Sequence, residues 1–148
     1  MTDTLTQTAQ IETSKIETPK IETKGGLTPY LQLSNATEAA AFYEKAFGAT
    51  TVFAFPPDEQ GRTMHVHLHV NGSSLMLSDA FPEQGHPHRT PQGYTLTLQV
   101  DDADAWARRA LAAGCAETLP VQDMFWGDRY GQLTDPYGVV WAVNQPKA

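Results

Sequence analysis

The feature that most constrains the fold is an internal duplication. The stretch LQLSNA (31–36) is similar to LQVDDA (98–103), and each leads into an Ala-rich segment that ends at a glycine. NGSSLML (71–77) and YGVVWAV (137–143) occupy corresponding places later in the two halves. A chain of 148 residues has room for one domain or two small half-domains. We therefore expect two copies of one structural unit.

Each unit has the pattern of one strand, one helix and further strands. Predicted strands lie at 28–35, 50–55, 62–70, 73–79 and 94–100, and predicted helices begin after Asn35 and at 101–114. Asn35 can cap the first helix, with Glu38 as its capping-box partner, and Gly48 can end it. The dipeptide Asn71-Gly72 favours a tight hairpin. These signals predict strand-helix-strand-strand-strand units.

The predicted fold class is α+β, with two βαβββ modules at 25–80 and 94–148. A Pro- and Gly-rich connector at 81–93 joins them. In each module the apolar residues of the alternating strands face the helix, which leaves a polar face for a cavity or for the other module. Trp141 is predicted to lie in the core beneath the second helix. Residues 1–24 carry the repeat IETSK-IETPK-IETK, lack aromatic residues and are predicted to form a disordered tail, or else a functional tether.

Bulk properties exclude several classes of protein. A net charge of -7 and a pI near 5.0 argue against a nucleic-acid partner, which would require a basic face. The chain has no apolar run of about 18 residues, so we expect no membrane span. It also lacks an apolar signal core, so we expect a cytoplasmic protein. The single cysteine, Cys115, excludes an internal disulfide.

Three long stretches carry a resemblance to a known family: YLQLSNATEAAAFYEKAFGA, MHVHLHVNGSSLMLSDAFP and FWGDRYGQLTDPYGVVWAVN. In this order, with the duplication, they resemble the vicinal oxygen chelate superfamily of glyoxalase I, bleomycin-resistance proteins and extradiol dioxygenases, and most of all its PhnB-like branch. The resemblance covers residues 27–145. It implies paired modules that form a cupped mixed sheet with helices outside, a ligand or metal held in the cup, and a homodimer.

The metal-binding members of that superfamily place one ligand in the first and one in the last strand of each module. By this resemblance the four positions fall on Thr28, Met76, Thr95 and Ala142. Zinc, nickel or iron sites need His, Glu or Gln there, and a one-residue shift brings no His or carboxylate to any of them. We therefore expect no cofactor at the usual chelate site, and a divalent metal is disfavoured.

The stretch MHVHLHV (64–70) places three histidines at alternate positions. Neighbouring members lie about 6.6–7 Å apart along a strand, so His65 and His67 could share one ion, whereas the first and third are about 13 Å apart. Asp79, across the predicted hairpin, is the candidate third ligand. This would make a relocated metal site for a lyase, isomerase or dioxygenase. The alternative is that His65 lines the cup without metal, and we favour it.

The predicted function is binding of a small organic molecule in the cup without metal. The candidate binding residues are Thr28, Tyr30, Gln32, His65, His67, Asp79, Thr95, Thr97, Phe125, Trp126 and Tyr130. The three aromatic residues at 125–130 could equally pack at a sheet edge or a dimer contact. If the chain is an enzyme, His65 beside Asp79 is the candidate general base.

Overall fold

The computed structural model describes residues 20–147 as ten regular elements and one short 3-10 helix. The first module contains β1 (Tyr30–Leu33), α1 (Ala36–Phe47), β2 (Thr50–Ala54), β3 (Val66–Val70) and β4 (Ser73–Asp79), followed by the 3-10 helix (Pro82–Gln84). The second contains β5 (Leu96–Gln99), α2 (Ala103–Ala113), β6 (Ala116–Asp123), β7 (Arg129–Thr134) and β8 (Val140–Gln145). No helix within residues 20–147 is long and apolar enough to cross a membrane.

The strands form two separate four-stranded mixed sheets of identical topology. Sheet 1 has the order β1-β4-β3-β2, and sheet 2 has the order β5-β8-β7-β6. In each sheet the first and last strands of the module pair in parallel, and the other neighbours pair antiparallel. The predicted α+β class and the duplicated βαβββ unit are confirmed.

Most of the predicted tail, residues 1–19, lies outside the described residues. The end of that segment contacts sheet 1. The Ser74 N–H donates to the Lys24 carbonyl at 3.0 Å, and the Lys24 N–H donates to Ser74 Oγ at 2.8 Å. Ordered contact with the sheet therefore begins before Gly25, the predicted start of the first module.

Local signals set the ends of α1 as predicted, with one exception. Asn35 Oδ1 accepts from the Glu38 N–H at 3.2 Å, and Gly48 ends the helix with a φ of 68°. The Glu38 carboxylate does not complete the capping box. It accepts instead from the Asn35 side-chain amide at 3.4 Å and from the Tyr137 hydroxyl at 2.8 Å. The Tyr137 hydroxyl, from the second module, therefore donates to Glu38 in place of the Asn35 backbone N–H that a capping box would use.

Alternation along the strands separates an apolar and a polar face in each sheet. Leu31, Leu33, Val66, Leu68 and Val70 are buried on the helix side. The polar face of sheet 1 carries Tyr30, Gln32, His65, His67 and His69. The polar face of sheet 2 carries Thr97, Gln99, Tyr130, Gln132 and Asn144.

The two modules share one hydrophobic core. Trp141 of β8 was predicted beneath the second helix. Its ring centroid lies 4.4 Å from that of Phe47 and 5.2 Å from that of Tyr43, both on α1. The helices also contact each other, because Arg109 Nε donates to the Lys45 carbonyl at 2.9 Å. The apolar sides of both sheets therefore meet around the helices, which leaves the polar faces directed away from this core.

Candidate functional site

A cavity of about 390 Å³ opens on the polar face of sheet 1. Its lining comprises Tyr30, Gln32, Met64, Ser78, Asp79, Phe81, Gln84 and His86. We call it the sheet-1 cavity. Three of these residues, Tyr30, Gln32 and Asp79, were predicted as binding residues. Its size falls within the roughly 300–1,000 Å³ range of small-molecule sites.

Beside this cavity, Tyr30 and His65 form a hydrogen-bonded pair. The Tyr30 hydroxyl lies 3.0 Å from His65 Nδ1 and 3.4 Å from the Met64 carbonyl oxygen. Burial lowers the pKa of His65 below its usual value, so the imidazole is neutral at neutral pH. A neutral imidazole next to a phenol offers both a donor and an acceptor, and it can act as a base.

Both carboxylate oxygens of Asp79 accept hydrogen bonds from the backbone. Its Oδ1 accepts from the Ala36 N–H at 3.1 Å, and its Oδ2 accepts from the Thr63 N–H at 2.8 Å. The carboxylate thus joins the first turn of α1 to the segment that enters β3. The predicted pairing of His65 with Asp79 is not formed, because Tyr30 is the partner of His65 and backbone amides are the partners of Asp79.

The other two histidines of the strand are also engaged. His67 is buried, and its Nε2 lies 2.7 Å from Ser74 Oγ. Burial, and secondarily the neighbouring His69 and His65, lower the pKa of His67. His69 Nε2 donates to the Glu22 carbonyl at 2.8 Å. Within residues 20–147 no three His, Cys, Asp or Glu side chains are placed to hold one metal ion. His65, His67 and Asp79 therefore do not assemble the relocated metal site considered above.

The chelate positions of the superfamily do not fit a metal either. In the parallel ladders, Met76 lies opposite Tyr30, and Ala142 lies opposite Thr97. Thr28 and Thr95 lie just before β1 and β5. The hydroxyls of Thr28 and Thr95, the thioether of Met76 and the methyl of Ala142 are not the His and carboxylate sets that zinc, nickel or iron prefer.

The predicted residues of the second module form separate groups. Thr95 and Thr97 are exposed at β5. Phe125 and Trp126 lie in the β6–β7 turn, where 97% and 49% of their surfaces are exposed. The Trp126 ring lies 4.9 Å from that of Phe125 and 5.8 Å from that of Tyr130, between centroids. None of these five residues lines the sheet-1 cavity.

Sequence reasoning missed the contribution of the connector to the cavity. Phe81, Gln84 and His86 line it, whereas the connector was expected only to join the two modules. Phe81 and His86 exchange backbone hydrogen bonds of 2.7 and 3.0 Å, which hold this turn closed. Arg62 lies 4.4 Å from the Phe81 ring centroid. The sequence signal was Pro82 directly after Phe81, followed by Gly85, since Pro and Gly at this short spacing favour an ordered turn.

Comparison with known proteins places this geometry in a family. The family model described as "Glyoxalase/Bleomycin resistance protein/Dioxygenase superfamily" matches residues 28–143. The uncharacterized protein Mb0911c of Mycobacterium bovis is 39% identical over 127 residues, which cover 81% of this chain and 82% of that protein. These matches extend over nearly all of both modules.

Solved structures agree with this assignment. Protein PA1353 from Pseudomonas aeruginosa has a TM-score of 0.65 and 30% identity, and the match covers 82% of this chain and 98% of that one. A PhnB protein from Bacillus cereus has a TM-score of 0.60 at 22% identity, with 82% and 100% of the chains covered, and it shares the fold. The chain therefore belongs to the glyoxalase/bleomycin resistance protein/dioxygenase superfamily.

Proposed function

We propose that the chain binds a small organic molecule in the sheet-1 cavity without the metal chelate of its superfamily. One observation carries the proposal: the cavity of about 390 Å³ lies beside the Tyr30–His65 pair on the polar face of sheet 1. A concave site with a few convergent polar groups is the usual form of a small-molecule site.

The lining suits recognition by hydrogen bonds and ring contacts. Gln32 supplies an amide, Ser78 a hydroxyl and His86 an imidazole, while Phe81 and Met64 supply apolar surface. Met64 is 62% exposed, so a bound molecule would cover apolar area that is now in contact with water. The affinity would come from this burial, and the polar groups would set the orientation.

We also infer a homodimer, as the family resemblance implies. The exposed Phe125 and Trp126 support it, because aromatic side chains in contact with water are frequent anchors of protein interfaces. Sedimentation of the wild type and of a Phe125→Ala variant tests this. A dimer that dissociates in the variant is the expected result, and a wild-type monomer at micromolar concentration would contradict it.

Binding is tested with a thermal-shift screen of small aromatic and heterocyclic compounds. A compound that stabilises the wild type should fail with Gln32→Trp, which fills the cavity, and should still stabilise Gln122→Trp, a matched change at an exposed position of β6. Equal shifts in both variants would refute the site.

Elemental analysis of protein purified without an affinity tag tests the metal-free part of the proposal. Stoichiometric zinc, nickel, iron or manganese that is lost in a His65→Ala, His67→Ala variant would instead favour a metal-dependent lyase, isomerase or dioxygenase.

A further inference from the structure

A second cavity lies where the two modules meet, at one edge of each sheet. Its volume is about 400 Å³. It is bounded by the segment before β1, by the β3–β4 turn and by β5. We call it the seam cleft. It shares no lining residue with the sheet-1 cavity, so it is a separate site.

The floor of the seam cleft is apolar and its rim carries hydroxyl groups. Leu75, Leu98 and Trp141, each less than a tenth exposed, form the floor. Ser73 and the exposed Thr97 lie at the rim. No residue that lines the cleft carries an ionisable side chain. An ion that entered would lose hydration without gaining a partner of opposite charge.

A cross-module hydrogen bond fixes the width of the cleft at one end. Asn71 has a left-handed φ of 49°, and its side-chain amide donates to the Gln99 carbonyl at 2.8 Å. This bond joins the β3–β4 turn to the end of β5. At another border Leu27 is 89% exposed, so apolar surface at the cleft faces water. The Asn71–Gln99 hydrogen bond thus holds two borders of the cleft together, and apolar surface at a third border is exposed to water.

We propose that the seam cleft is a second binding site, for a neutral molecule with an aromatic or aliphatic body and one or two hydrogen-bonding groups. The body would cover Leu27 and the apolar floor, and the polar groups would pair with the hydroxyls of Ser73 and Thr97. The net charge of -7 adds a general bias against anions. This inference is independent of the function proposed for the sheet-1 cavity.

The test uses N-phenyl-1-naphthylamine, a neutral fluorophore whose excitation overlaps tryptophan emission. In a Trp106→Phe, Trp126→Phe background, Trp141 at the floor is the only tryptophan left. Saturable binding of one probe per chain, with energy transfer from Trp141, is the expected result. Thr97→Phe, which fills the cleft, should weaken binding by about tenfold or more.

Two control variants distinguish the seam cleft from the sheet-1 cavity and from nonspecific binding of the probe to the protein surface. Thr118→Phe adds the same ring at an exposed threonine of β6 and should leave probe binding unchanged. Gln32→Phe blocks the sheet-1 cavity and should also leave it unchanged, so failure of one site does not imply failure of the other. No saturable binding, or equal binding by Thr97→Phe and Thr118→Phe, would overturn the proposal.

Sedimentation identifies the competing occupant. Self-association that is lost in Thr97→Phe but kept in Thr118→Phe would show that a second copy of the chain covers the cleft, and that result would also overturn the proposal.

Discussion

The Tyr43 hydroxyl donates a 2.5 Å hydrogen bond to Asp135 Oδ2, across 92 positions of sequence and between the two modules. Asp135 is only 4% exposed, and it also accepts from Trp141 Nε1 at 2.9 Å. The N–H groups of Tyr137 and Val139 donate to Oδ1 at 2.8 and 3.0 Å. Burial, with the nearby Asp135 charge, raises the pKa of Tyr43 far above its usual range. A buried carboxylate is thus fully paired at the junction of the modules.

Tyr43→Phe should destabilise the fold by about 1–3 kcal/mol, because it leaves the buried Asp135 without one of its donors. Tyr137→Phe is the matched control. Its hydroxyl bonds the more exposed Glu38, so the loss should be below about 1 kcal/mol. Urea unfolding of both variants checks this, and equal losses would contradict it.

Asp79→Asn should also lower the free energy of unfolding, by about 1–3 kcal/mol. The backbone N–H groups of Ala36 and Thr63 each donate to a separate oxygen of the Asp79 carboxylate, whereas the amide of Asn has only one acceptor oxygen. Asp123→Asn, at a highly exposed carboxylate, should change stability little. Unchanged stability of the Asp79 variant together with loss of ligand binding would show a direct binding role instead.

Acidification should destabilise the protein through His67. Its folded pKa lies below the unfolded value near 6.5, so the unfolded chain takes up the proton first. The contribution of His67 to the free energy of unfolding is therefore constant above about pH 6.5 and falls as the pH drops from there through the folded pKa. Unfolding measured between about pH 7.5 and pH 5 should show a smaller pH dependence in His67→Gln, and identical slopes would refute the assignment.

Cys115 should be inert toward thiol reagents in the folded protein. Burial, together with the charge of Asp135, raises the pKa of its thiol to about 12, so little thiolate exists at neutral pH. A thiol reagent should modify Thr118→Cys, at an exposed position, rapidly and modify Cys115 only on unfolding. Fast modification of native Cys115 would contradict this.

Gly131→Ala should destabilise sheet 2 by about 1–3 kcal/mol through overpacking. A Cβ at this position would lie 2.7 Å from Val121 Cγ2 and 3.0 Å from the Leu119 carbonyl oxygen. Gly26→Ala is the control, because its Cβ would meet no atom within 4 Å. Thermal unfolding of the two variants should differ accordingly, and two equal midpoints would show that β6 yields to the added methyl.

The sequence was sufficient for the fold because its signals were local. Asn35, Gly48 and the Asn71-Gly72 turn act on their own neighbours, and alternation fixed which face of each strand is apolar. The duplication then implied the same topology twice, as observed.

The site was less predictable because its contacts depend on tertiary placement. Nothing in the sequence indicated that Asp79 would pair with amides at Ala36 and Thr63, or that Tyr30 would be the partner of His65. Trp141 was correctly predicted to be buried, but its ring partners belong to the helix of the other module. Pairings between distant segments leave no periodic pattern in a single sequence.

The shared core of the two modules determines which substitutions this chain can accept. A change on the helix side of either sheet must be accommodated by the other module, since Trp141 packs on Tyr43 and Phe47. A half-chain would expose these rings and is not expected to fold alone. Apart from Thr97 and Gln99, which line the seam cleft, the side chains named on the polar faces lie outside this core, so substitutions there leave the packing of Trp141 on α1 unchanged. New ligand contacts can therefore be introduced on the polar faces while the core that joins the two modules is kept.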